Sequence, residues 1–111
     1  LMNADIGGEK TRDTIISAGI PSDTPGLGAE LNNVLGSASP TPLEQARAFA
    51  TFATRGQRID TTMIYEVRTP SGQVSYQWQP NAERALDENL VDNVNFALRR
   101  VVDSGTGTGA L

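Results

Sequence analysis

Apolar side chains recur at helical spacing in three stretches of the chain and alternate with period two in a fourth. The first, Gly8 to Ala18, reads as a short helix stopped by Gly19 and by Pro21, because glycine takes the left-handed end position and proline cannot continue a helix. Leu1 to Ile6 reads as the tail of an earlier helix. The second stretch is "TPLEQARAFATFATRG". Thr41 as N-cap, Pro42 at the first helical position and Glu44 three residues after the cap compose a capping box, and Gly56 closes the far end. A helix over 41–55 follows, with Leu43, Ala46, Ala50 and Ala53 as a buried stripe of mostly small side chains flanked by Phe49 and Phe52.

The period then changes. In "TTMIYEVRTPSGQVSYQW", Met63, Tyr65 and Val67 share one face, Val74, Tyr76 and Trp78 share one face of a return strand, and Thr69-Pro70-Ser71-Gly72 has turn chemistry between them. This is a hairpin. A lone hairpin is marginal in water, so helices are expected to cover its apolar face. The last helix opens at Asp87 as N-cap, with Leu86 and Val91 placed for a hydrophobic staple. Leu90, Val94, Ala97, Leu98 and Val101 continue it through Val102, and Arg99 and Arg100 suit the negative end of its dipole. Residues 21–40, rich in Pro, Gly, Ser and Asn, read as an ordered loop with one short turn near Ala29 to Val34. The elements amount to a mainly helical chain with one β-hairpin.

Composition narrows the chemistry. The 111 residues contain no Cys and no His, which removes thiol nucleophiles, disulfides, His-based acid/base pairs and nearly every zinc site. A net charge of -4 without a basic cluster argues against a nucleic-acid partner. No apolar run is long enough to span a bilayer. The glycine–threonine run Gly105 to Gly109 is not arranged as a phosphate cradle: a helix precedes it, none follows, and no Gly-Lys-Ser/Thr ending supplies a lysine. A hydroxyl nucleophile would need Lys10 as its base, yet Gly7 stands three residues before it, and Lys10 lies among Glu9, Arg12 and Asp13 on a solvated face. Among the acids, Asp5 with Glu9, Asp87 with Glu88, Asp92 and Asp103 invite comparison with paired catalytic carboxylates. Asp87 and Glu88 suit helix capping and Glu44 its capping box, so no catalytic, cofactor-binding or metal residue is assigned.

The order of these parts resembles the transpeptidase domain of penicillin-binding proteins, especially the bifunctional class A enzymes. The resemblance rests on "LGSASPTPLEQARAFATFATRG", with Leu35-Gly36 and Thr41 through Gly56 matching the family stretch, on the hairpin ending near Trp78 and Pro80, and on "GTGTGA" at Gly105 to Ala110. It implies an α/β fold of the penicillin-binding protein and serine β-lactamase type. It also implies a serine that attacks a D-alanyl-D-alanine carbonyl, an acyl-enzyme resolved by a second peptidoglycan strand, and trapping by β-lactams. A glycosyltransferase domain and a membrane anchor elsewhere in the parent, at the extracytoplasmic face of the bacterial cell membrane, are implied as well.

The three motifs that carry the family's chemistry are absent: no Ser-x-x-Lys, no Ser-x-Asn, and Lys10-Thr11 continues with Arg12 instead of Gly. Residues 1–111 are therefore expected to be a partial transpeptidase domain, the interval between the second and third motifs. They would supply the end of the helical region, a hairpin and the approach to the active-site strand. Its partners would be the remaining segments of that domain and, through the intact domain, stem peptides and β-lactams. In this reading the glycines bend the chain toward the strand by positive φ and close backbone approach. The alternative is a small non-enzymatic binding module that uses the aromatic hairpin face of Tyr65, Tyr76 and Trp78, although their alternation fits the buried side of a hairpin better than a ligand-stacking face.

Overall fold

The computed structural model describes residues 5–110. The helix read over residues 1–6 lies outside them except for Asp5 and Ile6, which are helical. Three α-helices follow: α1 (Gly8–Ala18), α2 (Pro42–Ala53) and α3 (Glu88–Ser104). Four short strands stand between α2 and α3: β1 (Gln57–Ile59), β2 (Glu66–Arg68), β3 (Val74–Gln77) and β4 (Ala82–Arg84). They form two antiparallel ladders, β2 with β3 and, nested outside it, β1 with β4. The sequence shows only the inner one. Strands β1 and β4 are three residues each, and their pairing leans on Arg58 opposite Glu83, whose side chains meet at 2.9 Å.

Local chemistry sets the helix ends. The Glu44 N–H donates to Thr41 Oγ1 at 3.3 Å, and the Thr41 N–H donates to the Glu44 carboxylate at 2.7 Å, completing the capping box. Asp87 Oδ1 accepts from the Leu90 N–H at 3.1 Å. Gly19 and Gly56, at φ 120° and 89°, end α1 and the turn after α2 as expected. The 21–40 loop is ordered around a 3-10 turn at Leu31–Leu35, pinned to α1 by Arg12, whose guanidinium donates to the Leu27 and Ser22 carbonyls at 3.2 and 3.1 Å.

The core is small: Ala18, Ile20, Leu27, Ala48, Leu86 and Val91, with Ile15, Ile16, Ala38 and Phe52 packed against it. Leu86 and Val91 are both in it, as the staple requires. The stripe expected to be buried on α2 is not: Leu43 is 62% exposed, and Ala46, Ala50 and Ala53 are exposed too. Instead α2 turns Ala48 and Thr51 inward, because its packing surface is set by α1 and α3, and the Thr51 hydroxyl is satisfied by the Ala18 carbonyl at 2.8 Å. The apolar stripe of α3 departs in the same way, with Val91 fully buried but Leu90, Leu98 and Val101 about half exposed. The helix also runs to Ser104, beyond Val102, so Arg99 sits a full turn inside and pairs with Asp103 at 3.3 Å.

Candidate functional site

The hairpin stands away from the helical core. Its turn is the expected one: the Gly72 N–H donates to the Thr69 carbonyl at 2.9 Å, with Gly72 at φ 86°. Val67 faces Tyr76 across the ladder, and the Trp78 N–H donates to the Tyr65 carbonyl at 2.8 Å, which keeps the aromatic residues on one side. That side is open. Met63, Tyr65, Val67, Val74 and Tyr76 are exposed and Trp78 is half-buried, so the expectation of helical cover is corrected for the described residues. Between the hairpin's open face and the start of α2 lies a groove of about 600 Å³, lined by Leu43, Thr61, Thr62, Met63, Ile64, Val67 and Tyr76.

Four of the acidic candidates pair within the fold, while Lys10, Asp5 and Glu9 present their side chains to the surface. Lys10 is exposed on α1, and its carbonyl accepts from the Thr14 hydroxyl. Asp87 caps α3, Glu88 and Asp92 meet Arg55, and Asp103 meets Arg99. Asp5 and Glu9 lie exposed at the start of the chain. Among the described residues no group of three or more His, Cys, Asp and Glu could hold a metal ion.

The glycine run meets one of its two expected conditions, close backbone approach, and not the other, positive φ. Gly105 and Gly107 both donate their N–H groups to the Val101 carbonyl, at 3.1 and 2.9 Å, and Thr108–Ala110 curls into a 3-10 turn against the end of α3. None of Gly105, Gly107 and Gly109 has positive φ. Close approach is the operative reason instead. A Cβ at Gly105 would lie 2.8 Å from the Val101 oxygen, and one at Gly107 would lie 3.1 Å from it.

One constellation is invisible in the sequence pattern. Arg55, just after α2, adopts a left-handed backbone at φ 55°. Its Nε and Nη2 grip both oxygens of Asp92 at 3.0 and 2.5 Å, and its Nη1 meets the Glu88 carboxylate. Arg84 of β4 donates to the Arg55 carbonyl at 2.7 Å, and the next carbonyl, that of Gly56, accepts from both Ala85 and Leu86. Hydrogen bonding to Arg55 is the main cause that holds the Asp92 carboxyl below its ordinary pKa, and the same bond raises the Arg55 guanidinium. One corner thus joins α2, β4 and α3.

Comparison with known proteins decides the family. A family model described as "Penicillin binding protein transpeptidase domain" matches residues 11–111. The chain belongs to the penicillin-binding protein transpeptidase family. It is 35% identical over 95 residues to penicillin-binding protein 1B of Escherichia coli (strain K12), covering 86% of this chain and 11% of that protein. It is 33% identical over 95 residues to penicillin-binding protein 1A of Neisseria gonorrhoeae, covering 81% of this chain and 12% of the relative. The penicillin-binding protein 1A of Neisseria lactamica is 32% identical over a stretch of the same length. The chain thus spans about a tenth of the length of these curated relatives. Within the transpeptidase match fall both capped helices, both β-ladders and the Arg55 corner. No helix among the described residues is long and apolar enough to cross a membrane.

Proposed function

We propose that this chain is the non-nucleophilic scaffold of a class A penicillin-binding protein, a D,D-transpeptidase that cross-links peptidoglycan stem peptides through an acyl-serine and is acylated by β-lactams. The observation that carries this reading is the family match over residues 11–111, in a sequence that holds none of the three catalytic motifs. The exposed apolar faces support it. Leu43, Phe49, Leu90, Phe96 and Leu98 stand at 45% exposure or more, on helices whose periodicity calls for cover, and companion segments of the domain would supply it.

In this reading α2 and α3 line the flank of the cleft, and the Gly105–Ala110 turn hands α3 over to the strand that edges the substrate. The parent works at the extracytoplasmic face of the cell membrane and carries a glycosyltransferase domain as well. The test is labelling by a fluorescent penicillin. The full-length protein is expected to take the label and residues 1–111 by themselves to take none; a labelled short chain, or an unlabelled full-length protein, overturns the reading.

A second reading has one observation in its favour, the open groove beside Met63 and Tyr76. It makes the chain a binding module acting through Tyr65, Tyr76 and Trp78. Cooperative unfolding of residues 1–111 by themselves, with no penicillin labelling of the full-length protein, would favour it.

A further inference from the structure

Helix α3 is fastened to the other described elements through its first two turns. Val91 is fully buried, Asn95 Nδ2 donates to the Phe52 carbonyl at 2.9 Å, and Glu88 and Asp92 hold Arg55. Further along, Phe96, Leu98 and Val101 are exposed, and the Gly105–Ala110 turn caps the far end. From Asp92 to Gly105 the helix extends about 20 Å at 1.5 Å per residue. A tilt of about 10° at the Arg55 corner would therefore move the glycine turn by roughly 3 Å.

The two acids lie four residues apart on one face of α3, so a single planar guanidinium reaches both. A grip on two points of a helix restrains its direction as well as its distance. Arg55 can make it only because its backbone is left-handed, an uncommon state for a residue with a Cβ, and Arg84 fixes that backbone through the Arg55 carbonyl. Arg84 of β4 also stands 3.9 Å from Glu88, so among the described residues the cations that meet the two acids are Arg55 and Arg84.

We infer that Arg55 is a positioning residue, whose two-carboxylate grip on Glu88 and Asp92 sets the direction of α3 and so the placement of the glycine turn that leads toward the active-site strand. The inference rests on the transpeptidase reading for its functional consequence and on geometry alone for the grip. Among the described residues the Arg55 guanidinium meets only the carboxylates of Glu88 and Asp92.

The experiment uses the full-length protein as wild type, Arg55→Gln, Arg55→Lys and the charge reversal Arg55→Glu with Asp92→Arg and Glu88→Gln, which removes the carboxylate that would otherwise repel Glu at 55. All have an unbranched side chain at 55, so the strain of the left-handed backbone is nearly constant across the set. Two readouts are taken: the rate of acylation by a fluorescent penicillin, and hydrogen exchange of residues 88–104. Arg55→Gln is expected to slow the acylation step by about tenfold to a hundredfold, the upper figure being the scale of a misplacement of about 1 Å at the cleft, with initial binding of the penicillin little changed, and to raise exchange in α3. Arg55→Lys should be intermediate, and the charge reversal should restore both readouts to within about threefold, as a mere loss of packing would not.

Wild-type acylation and α3 exchange in Arg55→Gln would overturn the inference. So would a charge reversal as impaired as Arg55→Gln, since the effect would then not lie in the ion pair. If the wild-type protein takes no label, the transpeptidase reading is what fails. Exchange in α3 then judges the grip: loss of protection in Arg55→Gln restored by the reversal upholds it, and unchanged protection refutes it.

Discussion

Thr51 donates its hydroxyl to the carbonyl of Ala18 at 2.8 Å, joining the last turn of α2 to the end of α1 across 33 residues of sequence. Thr51 is 1% exposed, so no water replaces either partner. Thr51→Val keeps the shape and strands the Ala18 carbonyl. The expected loss is about 1–3 kcal/mol, the cost of one buried unsatisfied group, whereas Thr51→Ser should lose less because it keeps the donor. Denaturation midpoints of the two variants check this; equal midpoints would show that the bond contributes nothing.

The glycine run makes a graded prediction. A methyl at Gly105 meets the Val101 oxygen and Cα, a methyl at Gly107 meets the same oxygen less closely, and nothing lies within 4 Å of a methyl at Gly109. Gly105→Ala should cost about 1–3 kcal/mol as an overpacked site, with Gly109→Ala close to neutral. In the full-length protein, Gly107→Val should impair penicillin acylation more than Gln77→Ala on the exposed hairpin. Equal rates for the last two would separate the turn from function.

Gly56 carries two constraints at once. Its φ of 89° lies in the left-handed region, and a Cβ there would press on the Leu86 carbonyl. Gly72 has a similar φ with open space around it. Gly56→Ala should therefore destabilise the protein by clearly more than Gly72→Ala, for which backbone strain alone predicts about 1–2 kcal/mol. Thermal unfolding of the pair measures the difference, and the opposite order would contradict the packing described at the α2–β4 corner.

The Arg55 corner also predicts a pH dependence. The hydrogen bond from Arg55 lowers the Asp92 pKa in the folded state, so protonation favours the unfolded state. The contribution is complete above the ordinary aspartate value and is lost as pH falls through the depressed one, below about pH 4. Protection of α3 from exchange should fall in that acidic window in the wild type and much less in Arg55→Gln, while between pH 6 and 8 the wild type should not change. Identical acid profiles would mean that the pair does not hold α3.

Much of the fold was legible because its signals are local. Thr41-Pro42-Leu43-Glu44 and Leu86-Asp87 announce helix starts through side chains a few residues apart, and Thr69 to Gly72 announces a turn the same way. The buried face was not legible. Periodicity marks an apolar stripe without saying what covers it, so Leu43 reads as core and is exposed, while Thr51 reads as polar and is buried by a bond to a distant carbonyl.

Long-range chemistry was hidden for the same reason. Nothing near Arg55 in sequence predicts carboxylates up to 37 residues away, and β1 and β4 are too short and too polar to alternate. A pair of acids at four-residue spacing on α3, with no cation four residues further on, was the one available hint. The aromatic hairpin was half legible: its shared face is real, but among the described residues nothing covers Tyr65 and Tyr76, and Trp78 is half-buried. Close approach at Gly105 and Gly107 was anticipated, whereas their positive φ was not found.

The central claim is that these residues position a transpeptidase cleft and do not provide its nucleophile. Locating the adduct tests it most directly. The full-length protein is acylated with a penicillin, digested, and the modified peptide identified by mass spectrometry. The account predicts one acylated serine, in a peptide outside residues 1–111. An adduct on any Ser, Thr or Lys within these residues would contradict it.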